Sequence, residues 1–204
     1  IKALGGQYGP ASSYYAGFIE LGNGDYENAL TDLKRAEQNK SYSLVVPELI
    51  ANAYYKQEQY DELLAYVEQV KGKEGVNNIE EISLYGAEAY FKKKEYAKAL
   101  SGYEEYLEVN EARADRGVLL RSGFSAYSIG QDEKALTHLK RSASDKDSIG
   151  FYASYYLGAI YLKQNQKQLA LTAFDNAKKF KADPRLVEES SFQHAKIFYD
   201  LGRS

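Results

Sequence analysis

The stretch that decides the fold runs from Phe151 to Pro184 and reads FYASYYLGAIYLKQNQKQLALTAFDNAKKFKADP. It contains two amphipathic segments separated by a short polar turn. Each segment has a small residue near its middle, Gly158 in the first and Ala170 in the second, followed by an aromatic residue, Tyr161 or Phe174. A Gly or Ala where two helices cross lets their backbones approach closely. The stretch therefore predicts two α-helices packed against each other.

The same spacing recurs along the whole chain. The small residue of the first helix returns at intervals of 34, 36, 36, 35 and 37 residues, at Gly17, Ala51, Ala87, Gly123, Gly158 and Ala195. Twelve positions after these residues stand Ala29, Leu63, Ala99, Ala135 and Ala170, and four further on stand Leu33, Val67, Tyr103, Leu139 and Phe174. One helix pair cannot bury its own apolar face, so neighbouring pairs must stack. The periodicity predicts a solenoid of helix pairs.

Within this periodicity we expect eleven helices. They lie near residues 11–21, 26–38, 44–56, 60–70, 79–93, 96–109, 112–128, 132–144, 149–163, 167–180 and 185–201. Gly22-Asn23-Gly24 is a turn signal, and Asp25 is a suitable N-cap for the second helix. Residues 1–9 look like the end of a preceding helix and a loop. The last helix has no second helix after it, which favours a fragment of a longer repeat protein.

The best-matching motifs resemble the tetratricopeptide repeat (TPR). They are Leu157-Gly158 with Tyr161, Ala170, Phe174, Ala177 and Pro184, and Gly17 with Gly24-Asp25-Tyr26 and Ala29. The resemblance extends from Pro10 to Ser204 and implies an all-α, right-handed α-α superhelix, a TPR solenoid of about five repeats plus an unpaired terminal helix. We expect one array with repeats near 10–43, 44–79, 80–115, 116–150 and 151–187, and a partial repeat over 188–204.

Composition excludes several classes of function. The net charge of -3 gives no basic surface for nucleic acid. No apolar run approaches the roughly 18 residues that cross a bilayer, so we expect no membrane insertion. The chain has no cysteine, and its two histidines, His138 and His194, are not spaced as metal ligands. We therefore expect no catalytic residue, no metal site, no cofactor and no enzymatic activity.

Tyrosine is the unusual component, with 20 residues and no tryptophan. One interpretation is that Tyr replaces other large side chains at packing positions. The other is a binding surface, because Tyr offers a large apolar body and a polar tip at low entropic cost.

In TPR superhelices the first helices line a concave groove, so the resemblance places partner contacts at the second, fifth, ninth and twelfth places of each repeat. We select as candidates Tyr14, Phe18, Asn52, Tyr55, Glu88, Phe91, Phe124, Tyr127, Tyr152, Tyr155, Phe192 and Tyr199. The twelfth places form an apolar ladder, Leu21, Tyr55, Phe91, Tyr127, Leu162 and Tyr199. The ladder is either packing between successive first helices or a contact stripe for a peptide or partner helix.

The sequence thus favours a scaffold that binds a peptide or protein partner through its groove. The alternative is a structural spacer in a longer array, without a ligand of its own. A clamp for a terminal carboxylate is disfavoured, because only Asn52 has suitable chemistry and its neighbours Glu48 and Glu88 are acidic. The identity of the partner and the oligomeric state stay open.

A narrower resemblance concerns long TPR proteins of Gram-negative bacterial cell envelopes. It rests on the segments Tyr14-Tyr15-Ala16-Gly17, Val45-Val46-Pro47 with Ala53-Tyr54-Tyr55, and Asp183-Pro184 with Glu188-Glu189 and Ala195-Lys196. The resemblance implies a periplasmic or outer-membrane-associated location, with a cytoplasmic location left open.

Overall fold

A computed structural model describes residues 9–202. These residues form eleven α-helices: α1 Gly9–Gly22, α2 Tyr26–Glu37, α3 Pro47–Lys56, α4 Tyr60–Lys71, α5 Ile79–Lys92, α6 Tyr96–Asn110, α7 Arg116–Ser128, α8 Asp132–Ser142, α9 Ser148–Lys163, α10 Lys167–Ala177 and α11 Pro184–Gly202. The chain divides into two compact units, residues 1–109 and residues 110–204. The expected all-α fold is confirmed, and the expectation for residues 1–8 lies outside the described residues.

In each unit the helices pack as successive pairs, and their large apolar side chains form the core. In the first unit Leu33, Ile50, Leu63 and Ile82 are completely buried. In the second unit the fully enclosed side chains are Leu119, Leu139, Ile160, Phe174 and Ile197, each at most 2% exposed. The second-helix markers that the spacing identified therefore lie in the core.

Close helix contact occurs where the sequence has glycine in a first helix. A Cβ atom added at Gly17 would lie 2.7 Å from the Leu33 side chain, and one at Gly123 would lie 2.7 Å from Leu139. At Gly158 an added Cβ would lie 2.9 Å from three ring atoms of Phe174. Each pair thus joins a small residue to the large residue sixteen positions later.

The turn inside each pair has a recurring geometry. One residue adopts a left-handed backbone conformation with φ between 58° and 79°, at Gly24, Glu58, Lys94, Gly130 and Asn165. Its N–H donates to the carbonyl three residues earlier, for example from Gly24 to Leu21 at 3.1 Å and from Asn165 to Leu162 at 3.0 Å. Glycine adopts this conformation without a steric penalty, whereas side chains such as that of Glu58 are strained in it.

Three helix limits differ by three or more residues from the sequence-based expectation. Helix α3 begins at Pro47 rather than at 44, because proline fits the first turn of a helix and turn bonds such as Val45 to Tyr42 precede it. Helix α7 begins at Arg116 rather than at 112, because a short 3-10 helix at Glu111–Arg113 precedes it and Asp115 caps it. Helix α10 ends at Ala177, three residues before the expected limit.

The side chain of Arg116 and a helix cap position the helices of the second unit. Arg116 at the start of α7 donates to Asp145 and Asp147, both at 2.7 Å, and to the Ser142 carbonyl at 2.6 Å. Asp147 also accepts from the Gly150 N–H at 2.9 Å and so caps α9. The same arginine therefore ties α7 to the connection between α8 and α9.

We expect Gly158→Leu to lower the free energy of unfolding by about 1–3 kcal/mol, because the new side chain overpacks the contact with Phe174. Urea unfolding followed by circular dichroism measures the change.

Gly22→Leu is the matched control, because an added Cβ at Gly22 meets nothing within 4 Å. This exposed change should stay within about 0.5 kcal/mol of the parent chain. Equal losses at the two positions would contradict the packing role of Gly158.

Candidate partner-binding site

In the first unit the predicted groove positions of α3 and α5 lie on adjacent helices. The ring of Tyr55 in α3 lies 5.6 Å from the ring of Tyr85 in α5, and 6.2 Å from that of Tyr60. Tyr55 and Tyr85 are both half-buried, so each ring packs on one side and meets solvent on the other. The two helices thus share an aromatic surface.

Carboxylates border this aromatic surface. Glu48 of α3 and Glu81 of α5 are half-buried, and burial raises the pKa of both. The negative charge of Glu81 raises the pKa of Glu48 further, while a hydrogen bond from Asn78 lowers it. Neither carboxylate has an ion-pair partner within residues 9–202. The face is therefore acidic, and no lysine or arginine of the described part of the chain neutralises it.

The Tyr85 hydroxyl stays protonated on this face. Burial raises the pKa of Tyr85 to about 12, assisted by the charges of Glu48 and Glu81, and a hydrogen bond from Asn52 opposes the shift. The Asn52 Oδ1 atom is buried, and no described residue hydrogen-bonds to it. The face that includes Glu48, Asn52, Tyr55, Glu81 and Tyr85 is called the α3–α5 face below.

An aromatic cluster occupies the corresponding place in the second unit. Tyr156 of α9 lies 5.0 Å from Phe124 and 5.4 Å from Tyr127, measured between ring centroids, and both of these belong to α7. Tyr155 lies 5.4 Å from Tyr156 and 5.9 Å from Phe174 of α10. All of these rings except Phe174 are half-buried, so α7 and α9 also share a partly exposed aromatic surface.

The structure brings only some of the selected residues together. Asn52 and Tyr55 meet on the α3–α5 face, and Phe124, Tyr127 and Tyr155 meet around Tyr156. Tyr14 stacks on Tyr42 at 5.0 Å, and Phe91 contacts Tyr96 and Tyr103 at 5.8 and 6.4 Å. The large side chains of Phe18, Phe192 and Tyr199 are exposed on α1 and α11.

Two selected residues, Glu88 and Tyr152, are engaged within the fold. Glu88 is only 6% exposed, so it lies beneath the surface of α5. The Tyr152 hydroxyl donates to Asp183, and its ring lies 5.9 Å from Phe180. Asp183 accepts from the backbone N–H groups of Arg185 and Leu186, both at 3.1 Å. Tyr152 therefore helps to hold the connection that leads into α11.

Sequence reasoning missed Tyr85 and Tyr156, which both occupy the sixth place of their repeats. The selection used the second, fifth, ninth and twelfth places and so passed over them. The signal in the sequence was an aromatic residue at the sixth place beside aromatic residues at the twelfth, Tyr55 and Tyr127.

Three further observations on the described residues concern metal binding, membrane crossing and a surface cleft. Between residues 9 and 202 no group of three or more His, Asp or Glu side chains is placed to hold a metal ion. None of the helices described is long and apolar enough to cross a membrane. A cleft of about 200 Å³ lies between α4, α5 and α6, lined by Val67, Lys71, Ser83, Gly86, Lys98 and Glu105, among others. Lys71 and Glu105 form an ion pair there at 2.6 Å.

The pKa shift on the α3–α5 face predicts a pH-dependent stability. A carboxyl whose pKa is higher in the folded than in the unfolded state stabilises the fold below its ordinary pKa, near 4.5, and this contribution is lost as the pH rises through the folded pKa. We therefore expect Glu48→Gln to raise the urea midpoint at pH 7 and to have little effect at pH 4.

The control is Glu62→Gln, which removes the same charge from an exposed position on α4. Its effect at pH 7 should be smaller, because Glu62 is not in the half-buried acidic cluster. A gain for Glu48→Gln that is larger at pH 4 than at pH 7 would show that the shift has the opposite sign.

Comparisons with known proteins agree with this architecture. Residues 152–180 match the family model described as tetratricopeptide repeat. Among solved structures, MamA AMB-1 has a TM-score of 0.70 at 16% identity, over 87% of this chain and 96% of that chain. MamA MSR-1 has a TM-score of 0.67 at 17% identity, over 90% of this chain and 99% of that chain.

A structure of kinesin light chain nearly identical TPR-like repeats from Podosopora anserina has a TM-score of 0.55 at 15% identity, over 84% of this chain and 94% of that chain. The comparison with curated proteins found no match. At such low identities the likeness concerns the fold alone. Together with the matched repeat at residues 152–180 and the paired helices, this likeness shows that the chain has a tetratricopeptide-repeat fold.

Proposed function

We propose that this chain is a protein-interaction scaffold that binds a peptide or protein partner along the exposed faces of its first helices. Tetratricopeptide repeats are scaffolds for protein interactions in general. The observation that carries the proposal is the pairing of half-exposed aromatic rings on consecutive first helices, Tyr55 with Tyr85 and Tyr127 with Tyr156. Aromatic residues in well-packed surroundings supply most of the binding energy at many interfaces.

The packing of these rings favours binding. A ring held on one side by a neighbouring ring has already lost much of its rotational freedom, so a partner has less entropy to remove. The Tyr85 hydroxyl, protonated at neutral pH, offers a hydrogen-bond donor at the same face. This arrangement suits a peptide whose backbone and side chains are both recognised.

The charge of the α3–α5 face selects the partner further. Glu48 and Glu81 have no ion-pair partner among residues 9–202, so a lysine or arginine of the partner could form ion pairs with them. Such complementary charges accelerate association and exclude acidic competitors. We therefore propose that the partner segment combines a basic residue with aromatic or aliphatic anchors.

A structural spacer is the second candidate function. It is favoured by the contact of Tyr55 with Tyr85, because ring packing between neighbouring first helices is what a spacer needs. In that case the aromatic ladder serves stability, and no peptide would bind to it.

Other sequence-based predictions stay predictions. They include the division into one array of five repeats and a partial repeat, the absence of enzymatic activity, and a periplasmic or outer-membrane-associated location.

The proposal can be tested with a phage-displayed library of random 12-residue peptides selected against the full 204-residue chain. We expect the selected peptides to be enriched in Lys or Arg and in aromatic residues. Their affinity should fall about tenfold for the Glu48→Gln, Glu81→Gln double variant, which corresponds to about 1.4 kcal/mol of lost charge interaction. Fluorescence anisotropy with a labelled peptide measures the affinity.

The matched control is Glu62→Gln, Glu68→Gln, which removes two charges from exposed positions on α4. This variant should bind the peptides as the parent chain does. Selection of no peptide, or equal losses in both double variants, would favour the spacer. Circular dichroism of each variant establishes that its helices are retained.

A further inference from the structure

Helical spacing orders the side chains of the α3–α5 face. Glu48 and Glu81 lie in the first turns of α3 and α5. Tyr85 follows Glu81 by four residues and Tyr55 follows Glu48 by seven, so each ring stands on the same side of its helix as the carboxylate before it. The two rings are in contact, with their centroids 5.6 Å apart. Each helix therefore contributes one carboxylate and one ring to the face.

The two carboxylates and the Tyr85 hydroxyl form one cluster across the two helices. Asn78, at the N-cap of α5, hydrogen-bonds to the side chain of Glu48, so the first turn of α3 lies beside the start of α5. Besides burial, the charges of Glu48 and Glu81 raise the pKa of Tyr85, which reaches about 12. Three groups from two helices thus share one small region, which we call the Glu48–Glu81–Tyr85 cluster.

The second unit has the same pair of rings. The repeat register places Tyr127 of α7 at the position of Tyr55, and Tyr156 of α9 at the position of Tyr85. The centroids of Tyr127 and Tyr156 are 5.4 Å apart, close to the distance in the first unit. The ring contact is therefore common to the two units.

The carboxylates are present in the first unit alone. At the positions of Glu48 and Glu81, 72 and 71 residues later, the second unit has Leu120 and Tyr152. The second unit thus packs the same two rings without a carboxylate at either position. Burial and the neighbouring charge raise the pKa of Glu48, so its charge lowers stability at neutral pH. A destabilising charge that ring packing does not require indicates a role in binding.

We propose that the α3–α5 face recognises an arginine of the partner, whose guanidinium lies between Glu48 and Glu81 and stacks on the Tyr85 ring. This inference rests on the function proposed above and names the cationic side chain that the acidic face selects. The corresponding face of the second unit, with Leu120 and Tyr152 at the two positions, selects no cation.

Arginine fits the Glu48–Glu81–Tyr85 cluster better than lysine does. Its planar guanidinium carries several N–H donors in a fixed fork, so it can donate to two carboxylates at once. It is also weakly hydrated and stacks on aromatic rings, which suits half-buried surroundings. The lysine ammonium is a compact, strongly hydrated charge and loses more hydration energy at such a place.

The test uses three tripeptides, acetylated and amidated at their ends: Gly-Arg-Gly, Gly-Lys-Gly and Gly-Cit-Gly, in which uncharged citrulline keeps the shape of arginine. Each is titrated into the full ¹⁵N-labelled chain, and the amide resonances of α3 and α5 report the dissociation constant. We expect the arginine probe to bind about fivefold more tightly than the lysine probe, because stacking adds to the charge interaction. The citrulline probe should cause no saturable shift. The amides of α7 and α9 are the internal control and should not shift.

A pair of charge variants tests the two carboxylates. The Glu48→Gln, Glu81→Gln double variant should bind the arginine probe about tenfold more weakly, because two charge contacts are lost. The Glu62→Gln, Glu68→Gln double variant, which removes two exposed charges from α4, should bind it as the parent chain does. Circular dichroism establishes that both variants keep their helices.

A pair of ring variants tests the stacking. Tyr85→Leu should bind the arginine and lysine probes equally, because the stacking surface is lost while both carboxylates stay. Tyr26→Leu removes a half-buried ring from α2 and should keep the preference for arginine.

Four outcomes would overturn the proposal. They are no saturable shift with the arginine probe, equal affinities of the parent chain for the arginine and lysine probes, equal shifts in the first-helix amides of both units, and an unchanged preference in a folded Tyr85→Leu variant. The selection of random peptides is independent of these probes. Selected peptides that bind equally well with lysine in place of arginine would retain the scaffold function and remove the arginine assignment.

Discussion

The close contact between a small residue of one helix and a large residue of the next is the constraint on which the helix pairs depend. Gly17, Gly123 and Gly158 each leave room for a side chain sixteen positions later, with distances of 2.7 to 2.9 Å to an added Cβ. This spacing brings two backbones together and fixes which face of the first helix is covered. The residues on the remaining faces must then either pack on the neighbouring pair or meet solvent.

The turn inside each pair also fixes the position of the aromatic residue at the end of the first helix. In each pair the turn residue in the left-handed conformation donates its backbone N–H to the carbonyl of the twelfth residue of the repeat. This hydrogen bond is 3.0 Å long at both Tyr55 and Tyr127. The backbone of the ladder residue is thereby fixed at the end of its helix. Its ring can then rest on the neighbouring first helix, as Tyr55 rests on Tyr85. The α3–α5 face is therefore a consequence of turn geometry as well as of residue type.

Spacing predicts the helix pairs well because a small residue at a helix crossing is a local requirement, visible at Gly158 without a structure. It predicts the start of α7 poorly, because Asp115 competes with the helix pattern by capping α7 and a 3-10 helix precedes it. The contact of Tyr156 with Phe124 and Tyr127 depends on how α7 and α9 rotate against each other. The raised pKa of Glu48 likewise depends on burial and on Glu81, which lies on another helix.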